Sequence, residues 1–327
     1  MFDITALGEI LIDFTPGGET PEGFKLFIRN PGGAPANLLC QAAACGARAA
    51  FIGKAGKDEF GAYLKETLER HGVDASGMRF DPKVGTTLAF VHLGGEGERS
   101  FSFYRDPGAD VTLAPEEVDM GIVSRSRVFH FGSLSLTSEP ARSATLAALA
   151  EARARGITVS FDPNWRPLLW DSPEAFRAQS LSLLDRTDIL KVSETEAEIL
   201  TGIPGGSREA AKALAARGPR VVALSLGGKG ARLIAPGIEA FCPPLPVEAV
   251  DTTGAGDSFH GTFLASLCMN GGSIDDQGPD DWKRFLALGA TAGALACTRK
   301  GGMGAAGPFA ETASIAADLI PRVISLQ

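Results

Sequence analysis

Short β-rich runs alternate with longer amphipathic patterns along most of this chain, and this alternation limits the fold more than any other feature. Apolar strands separated by helices indicate βαβ units, in which parallel strands form a sheet that helices cover on both faces. The sequence therefore predicts an α/β fold with a mostly parallel central sheet. The predicted strands are residues 4–12, 49–53, 128–132, 158–162, 189–193 and 221–225. The predicted helices are residues 34–45, 58–71, 139–155, 208–217, 258–269 and 281–298.

Two segments, at about 14–31 and 86–106, interrupt the alternation because they are strand-like and show few helical features. In the second segment, two strand-like runs flank a glycine-rich sequence at 94–97, which predicts a β-hairpin. We expect both segments to form a small β-sheet lid that closes over a ligand. No linker or internal repeat divides the chain, so residues 1–327 are predicted to form a single domain.

Composition and charge restrict the partners. With 44% hydrophobic and 21% charged residues, the chain is typical of a globular protein. Its net charge is −8 without any Lys/Arg-rich run, which argues against nucleic acid or a membrane surface as a partner. No apolar stretch approaches the ~18 residues of a membrane helix, and no basic signal-peptide region begins the sequence. The five cysteines are scattered without a C-x-x-C pair, which predicts reduced thiols in a cytoplasmic protein.

The segment 250–259 carries the strongest functional signal. Gly254, Ala255 and Gly256 come directly before Asp257, and an apolar helical pattern begins immediately afterwards. Glycines let backbone N–H groups converge on a ligand, and at a helix start these groups bind anions such as phosphate. Asp257 would then lie beside the anion, where a general base for a hydroxyl is needed. The pattern predicts phosphoryl transfer, and a carboxylate at a helix start is expected to stay ionised near neutral pH.

Other interpretations of this segment fit less well. A helix start that is capped without any function is the simplest alternative, since Asp and Ser are common there. A Walker A loop requires Gly-Lys followed by Ser or Thr, whereas Gly56-Lys57 is followed by Asp58. The dinucleotide fingerprint of nicotinamide-dependent oxidoreductases would need a glycine in place of Phe259.

A second glycine-containing segment, Asn-Pro-Gly-Gly-Ala-Pro-Ala-Asn at 30–37, precedes a predicted helix. Together with segment 251–259 it resembles the two signatures of the ribokinase (PfkB-type) family of sugar kinases, and the resemblance covers nearly the whole chain. The internal runs most similar to the fructokinase branch are 104–110, 161–170 and 191–194. This resemblance implies a ribokinase-like fold, in which a three-layer α/β/α core with a mostly parallel sheet carries a small β-sheet lid.

The resemblance also implies roles for individual residues at the reaction centre. Asp257 would be the catalytic base, and the backbone of Gly254, Ala255 and Gly256 would form an anion hole for the transferring phosphoryl group. Carboxylate and amide groups suit sugar hydroxyls, which both donate and accept hydrogen bonds. The residues expected to bind the sugar are Asp13, Gly32, Gly33, Asn37, Tyr104, Arg105 and Arg166. A helix cap and a tight turn are the structural alternatives for the asparagine and the paired glycines.

Further residues are implied to bind ATP and metal ions. The residues expected at the nucleotide are Lys191, Ser193, Ser225, Gly227, Gly230, Gly254 and Gly256. Ser193 stands where many family members have Asn, and Glu196 would act on Mg²⁺ through water, although both also suit a helix-start capping box. The residues expected at a monovalent-cation site, for K⁺, are Asp251, Thr253, Ala296 and Gly301.

The implied function is ATP-dependent phosphorylation of the terminal hydroxyl of a ketose, with fructose to fructose 6-phosphate as the first choice. The alternative within the family is 2-keto-3-deoxygluconate, whose carboxylate would need a cation such as Arg105 or Arg166. An alternative of another class is a non-catalytic sugar- or nucleotide-binding protein on the same fold, which could dispense with Asp257. A homodimer through the lid is expected, since exposed strand edges favour pairing.

Overall fold

The computed structural model describes residues 1–93, 99–204 and 206–326, so the glycine-rich turn predicted at 94–97 lies outside the described residues. The strands are β1 (Phe2–Leu7), β2 (Leu11–Glu19), β3 (Lys25–Gly32), β4 (Ala49–Gly56), β5 (Val73–Asp81), β6 (Leu88–Leu93), β7 (Arg99–Tyr104), β8 (Ser126–Gly132), β9 (Thr158–Asp162), β10 (Ile189–Ser193), β11 (Val221–Ser225), β12 (Ala231–Ala235), β13 (Ile238–Cys242) and β14 (Ile324–Ser325).

The helices are α1 (Ala34–Ala44), α2 (Glu59–Arg70), α3 (Met120–Ser124), α4 (Ala141–Ala154), α5 (Pro173–Leu181), α6 (Glu194–Thr201), α7 (Arg208–Ala215), α8 (Ala255–Met269), α9 (Pro279–Ala296) and α10 (Phe309–Leu319). Among the residues that the structure describes, none of these helices is long and apolar enough to cross a membrane.

The large sheet has the strand order β14-β13-β12-β11-β10-β9-β8-β1-β4-β5. Neighbouring strands from β11 to β5 are parallel, while β12, β13 and β14 extend one edge in antiparallel pairing. Helices cover both faces: α1, α8 and α9 enclose one hydrophobic core, and α4, α6 and α7 enclose the other. The predicted three-layer α/β/α architecture is confirmed.

A separate small sheet has the order β3-β2-β6-β7, in which β2 and β6 are parallel and the other pairs antiparallel. Aromatic side chains join this sheet to the core. The ring of Phe14 stacks on Phe90 with centroids 4.7 Å apart and meets Phe60 of α2 edge-on at 6.0 Å. The small sheet predicted beside the core is therefore present, and its action as a lid remains a prediction.

The sequence prediction of one strand at 4–12 is wrong. β1 ends at Leu7 in the large sheet, whereas β2 begins at Leu11 in the small sheet. The chain changes sheets at Gly8, which packs closely against Pro35, and a Cβ added there would lie 2.7 Å from the proline ring. Apolar residues on both sides of Gly8 and Glu9 concealed this change, because both sheets bury the same kinds of side chain.

Candidate active site

Donors to an anion converge at the start of α8. Gly254 precedes the helix with a φ of 81°, a left-handed conformation that favours glycine. Ala255 donates its N–H within the preceding turn at 3.3 Å, so the N–H groups of Gly256 and Asp257 are the better anion donors. Lys191 reaches the same point from β10, since a Cβ added to Gly256 would lie 2.9 Å from its Nζ. The helix dipole, backbone N–H groups and an ammonium thus face one position.

Asp257 lies in this first helical turn and contacts the second glycine-containing segment. Its Oδ2 accepts a hydrogen bond from Asn37 Nδ2 at 2.8 Å. Burial raises the pKa of Asp257 above its ordinary range, although Asn37, Lys191 and Arg166 oppose the shift. Burial therefore outweighs the effect of the helix start, which alone favours the ionised carboxylate. A raised pKa suits a general base, because the carboxylate then accepts a proton more readily.

Asp13 comes from the small sheet and approaches the same place. Its carboxylate fits against Gly32, where an added Cβ would lie 2.2 Å from Oδ2. The pKa of Asp13 is raised to about 6; burial is the largest cause, Arg166 opposes it, and the negative charges of Asp251 and Asp257 add to it. These electrostatic contacts show that residues of both sheets meet around one site.

Asn37 links the two halves of that site and keeps one acceptor free. Within the part of the chain that the structure describes, its buried Oδ1 has no hydrogen-bond partner. A Cβ added to Gly302 would lie 2.6 Å from that oxygen, so only glycine fits beside it. An unpaired buried acceptor is costly, and a hydroxyl donor of a bound ligand would satisfy it. The amide therefore suits a polyhydroxylated ligand better than a purely structural cap.

The three remaining candidates for sugar binding are placed differently. Arg105 is buried, and its Nε and Nη2 donate to Asp110 Oδ2 at 2.9 and 2.7 Å. Tyr104 is 68% exposed, and its ring contacts Phe90. Arg166 is exposed, donates from Nη1 to its neighbour's carbonyl and acts electrostatically on Asp257. Of the two arginines, Arg105 has a buried and paired guanidinium, whereas the guanidinium of Arg166 is accessible.

Two of the residues expected at the nucleotide, Ser193 and Ser225, end β10 and β11, and the others lie within β10, in the turn after β11 or at the start of α8. Ser193 and Glu196 form a capping box at α6: Ser193 Oγ accepts from Glu196 N at 3.3 Å, and Glu196 Oε2 accepts from Ser193 N at 2.7 Å. The capping interpretation is confirmed, and the lowered pKa of Glu196 keeps it ionised although burial opposes this. Ser225 begins a turn in which Gly227 and Gly230 have positive φ angles of 55° and 103°.

Lys191 has a buried acidic partner that the sequence left open. Its Nζ lies 2.8 Å from Asp162 Oδ2, and both side chains are buried. Burial opposes the charge on Lys191, but Asp162 and Glu196 raise its pKa, so it is a cation. Asp162 therefore pairs with Lys191 and leaves the Arg166 guanidinium to other partners. A fixed cation beside the start of α8 can attract phosphate oxygens.

The segments expected to hold a monovalent cation lie side by side. Asp251 accepts hydrogen bonds from Thr253 N at 3.0 Å and from Gly301 N at 3.2 Å. The Asp251 N–H donates to Cys297, next to Ala296 at the end of α9. No group of three or more His, Cys, Asp and Glu side chains suited to a metal occurs in residues 1–93, 99–204 and 206–326. A divalent ion would therefore depend on phosphate oxygens and water as well as on Glu196.

Sequence reasoning missed two buried carboxyl groups near the sugar residues. Glu9 is 2% exposed and its Oε1 accepts the Ala34 N–H at 3.0 Å, next to the paired glycines. Asp110 is 4% exposed and neutralises Arg105. The charged residues in Arg-Asp-Pro-Gly-Ala-Asp at 105–110 were visible, but their pairing depends on a turn that periodicity does not predict.

In this α/β/α fold, backbone N–H groups at a helix start, the buried carboxyl of Asp257 and polar groups next to a second sheet converge, an arrangement that fits a phosphotransferase acting on a polyol. The model of the pfkB family carbohydrate kinases matches residues 1–306. The chain therefore belongs to the PfkB family of carbohydrate kinases.

Relatives of known name agree with this assignment. Fructokinase-2 of Zea mays is 40% identical over 98% of this chain and 94% of its own length. The structure of a fructokinase from Xylella fastidiosa with bound ATP has a TM-score of 0.88 and 30% identity, covering 97% of this chain and 98% of that one. A fructokinase from Vibrio cholerae O395 bound to fructose, ADP and calcium has a TM-score of 0.84 and 32% identity, covering 96% and 98%.

Proposed function

We propose that this protein is an ATP-dependent fructokinase, which transfers the γ-phosphoryl group of ATP to the terminal hydroxyl of fructose. The observation that carries the proposal is the contact between Asp257, at the anion-binding start of α8, and Asn37, in the glycine-containing segment. This contact puts a proton acceptor between a phosphate position and a hydroxyl-binding position. The similarity to fructokinases solved with ATP or with fructose supports the same substrates here.

The chain's own residues account for positioning and for proton transfer. Asp13, Asn37 and the backbone of Gly32 and Gly33 would hold the sugar hydroxyls. Asp257 would orient the terminal hydroxyl and accept its proton late in the reaction, because the phosphoryl transition state is loose. The N–H groups at the start of α8 would stabilise charge on the transferring group. The result is fructose 6-phosphate and ADP.

The small sheet is proposed to close over the sugar as a lid. It carries Asp13 and Gly32, whereas Asp257 lies in α8 and the turns proposed to bind the nucleotide follow β10 and β11 of the large sheet. Closure would exclude water and so limit hydrolysis of ATP in the absence of sugar. The whole chain would act as one kinase domain, because neither sheet contains a complete site.

Two kinds of ion suit the nucleotide side of the site. Mg²⁺ would neutralise charge on the ATP phosphates, with Glu196 acting on it through water. Carbonyl and side-chain oxygens around Asp251, Thr253, Ala296 and Gly301 would hold K⁺, since these two chain segments already lie together. A cytoplasmic location is proposed from the unpaired state of all five cysteines.

The environment of Arg105 favours a neutral ketose over 2-keto-3-deoxygluconate. A carboxylate in the substrate would need a free guanidinium, and Asp110 already neutralises Arg105 in a buried pair. Arg166 alone of the two candidates has an accessible guanidinium, and it also lies near Asp257, where ATP phosphates would attract it. Fructose therefore remains the first choice.

The decisive experiment measures ADP release with Mg·ATP across fructose, ribose, 2-keto-3-deoxygluconate, glucose and adenosine. We expect the highest kcat/KM on fructose. Asp257→Asn should lower kcat by about 10³-fold or more while leaving ATP affinity within about twofold, because only the base is lost. Selective turnover of 2-keto-3-deoxygluconate would overturn the choice of fructose and would point to Arg166 as its carboxylate ligand. ATP binding without turnover of any sugar would favour the non-catalytic binding protein.

A further inference from the structure

Four stretches of chain connect the small sheet with the core, and buried polar side chains lie in three of them. The connections are residues 8–10, residue 33, residues 82–87 and residues 105–108. Four polar residues define what we call the hinge cluster: Glu9, Thr87 and Arg105 lie in three of these connections, and Asp110 lies two residues after the last connection. Three of them are at most 4% exposed, and the side chain of Arg105 is 6% exposed.

Asp110 ties the third connection to the fourth. Its Oδ1 accepts the hydroxyl of Thr87, which enters the small sheet, and its Oδ2 accepts two N–H groups of Arg105, which leaves it. Gly108 allows this approach, because a Cβ there would lie 1.8 Å from Thr87 Oγ1. Arg105 also donates to the Leu134 carbonyl at 3.0 Å, which anchors the pair to the segment after β8.

Glu9 ties the first connection to the second. Its Oε1 accepts the Ala34 N–H, and its backbone carbonyl packs against Gly33, where a Cβ would lie 2.4 Å away. Asp110 and Arg105 also act electrostatically on the pKa of Glu9. One hydrogen bond thus holds the first connection to the second, and a separate hydrogen-bonded group holds the third to the fourth.

The hinge cluster contacts the backbone next to the sugar-binding residues. The Ile12 N–H donates to the Thr87 carbonyl at 3.1 Å, directly before Asp13. The Ala34 N–H, bound by Glu9, directly follows Gly32 and Gly33. By contrast, the turns expected at the nucleotide lie at the ends of β10 and β11, in the large sheet.

We propose that the hinge cluster sets the position of Asp13 and the paired glycines relative to Asp257, and so determines affinity for the sugar independently of ATP. Thr87, Arg105 and Asp110 are then positioning residues rather than sugar ligands. This inference rests on the proposed sugar-kinase activity. It also explains why Arg105, which the sequence suggested as a substrate ligand, has its donors directed into the protein.

The test compares KM for fructose with KM for ATP in Thr87→Val, Thr87→Ser and Arg105→Lys. Thr87→Val removes one hydroxyl and keeps the volume, and Thr87→Ser restores the hydroxyl. We expect Thr87→Val and Arg105→Lys to raise KM for fructose about tenfold, the effect of misplacing a hydrogen bond to the sugar. KM for ATP should stay within about twofold, and Thr87→Ser should resemble the wild type. If Arg105→Lys does not fold, the two Thr87 variants answer the question alone.

The matched control is Arg153→Lys, since Arg153 of α4 pairs with Asp188, which lies directly before β10 at the amino-terminal end of that strand. It should change neither KM. Three results would overturn the inference, provided that the wild type phosphorylates fructose. The two KM values could change equally in the Thr87 and Arg105 variants, or neither could change. The control could also show a raised KM for fructose with an unchanged KM for ATP. Absence of ketose turnover by the wild type would overturn the proposed function and this inference with it.

Discussion

Glu9 is a buried carboxyl whose ionisation opposes folding. One of its oxygens binds the Ala34 N–H, and the other is buried without a partner among the described residues. Burial raises the pKa of Glu9 from 4.5 to about 7, with a further increase from Asp110 and a decrease from Arg105. The buried Glu9 carboxyl therefore lowers the stability of the folded protein near neutral pH, while its hydrogen bond to Ala34 fixes the connection between the two sheets.

Replacing Glu9 by Gln should therefore change how stability depends on pH. Below about pH 4.5 the Glu9 carboxyl is protonated in both the folded and the unfolded protein. Between about pH 4.5 and pH 7 it ionises in the unfolded protein but stays protonated in the folded one. The free energy of unfolding of the wild type therefore falls as the pH rises through this range. The full shift corresponds to about 3 kcal/mol. Urea unfolding at a series of pH values should therefore show that the free energy of unfolding of E9Q, relative to that of the wild type, rises by roughly this amount between about pH 4.5 and pH 7. Exposed Glu66→Gln is the control, and parallel curves for E9Q and wild type would contradict the prediction.

At the scale of elements, a buried series of hydrogen bonds joins α8, the helix that carries Asp257, to the large sheet. Ser160 Oγ of β9 lies 3.0 Å from His130 Nδ1 of β8 and 2.7 Å from His260 Nε2 of α8. Burial lowers the pKa of both histidines, to about 3 for His130, so both rings are neutral. These hydrogen bonds fix α8 against β8 and β9, one helical turn after Asp257.

Ser160→Ala should destabilise the protein by about 1–3 kcal/mol, because two buried ring nitrogens lose their partner. Chemical unfolding monitored by circular dichroism gives this value. Ser182→Ala is the control, since its exposed hydroxyl donates only to the Gln179 carbonyl. A loss no larger than that of the control would show that the histidines find other partners.

The elements differ in how far the sequence could predict them. The helix predicted at 281–298 is observed as Pro279–Ala296, because its apolar period and N-terminal Pro are local signals. The contact of Asp257 with Asn37 joins two motifs that were each recognisable from adjacent residues. The pairs Lys191–Asp162 and Arg105–Asp110 could not be assigned, since several oppositely charged residues compete and only the tertiary fold selects among them.

At the scale of the whole molecule, the site is divided between two sheets that bury apolar surface differently. The large sheet is covered on both faces, whereas the small sheet leaves large apolar side chains in solvent. Those on or next to its strands are Phe24, Leu26, Phe27, Ile28 and Tyr104, with exposed fractions from 42% to 70%. An exposed apolar sheet of this kind favours association with a second copy.

We therefore propose a homodimer through the small sheet, and we expect the wild type to sediment as a dimer. Replacing Leu26 and Ile28 together by Glu should give a monomer, because charges would then be buried at the interface at a cost that association cannot offset. Sedimentation velocity measures the change, and an unaltered circular dichroism spectrum confirms that the fold is retained. Met269→Glu is the matched control, since Met269 is 49% exposed but lies at the end of α8, away from the small sheet. The interface would be excluded if the wild type is a monomer, or if Met269→Glu dissociates the dimer to the same extent. If the double variant is a monomer and its KM for fructose is raised, dimerisation also helps to hold Asp13 in place.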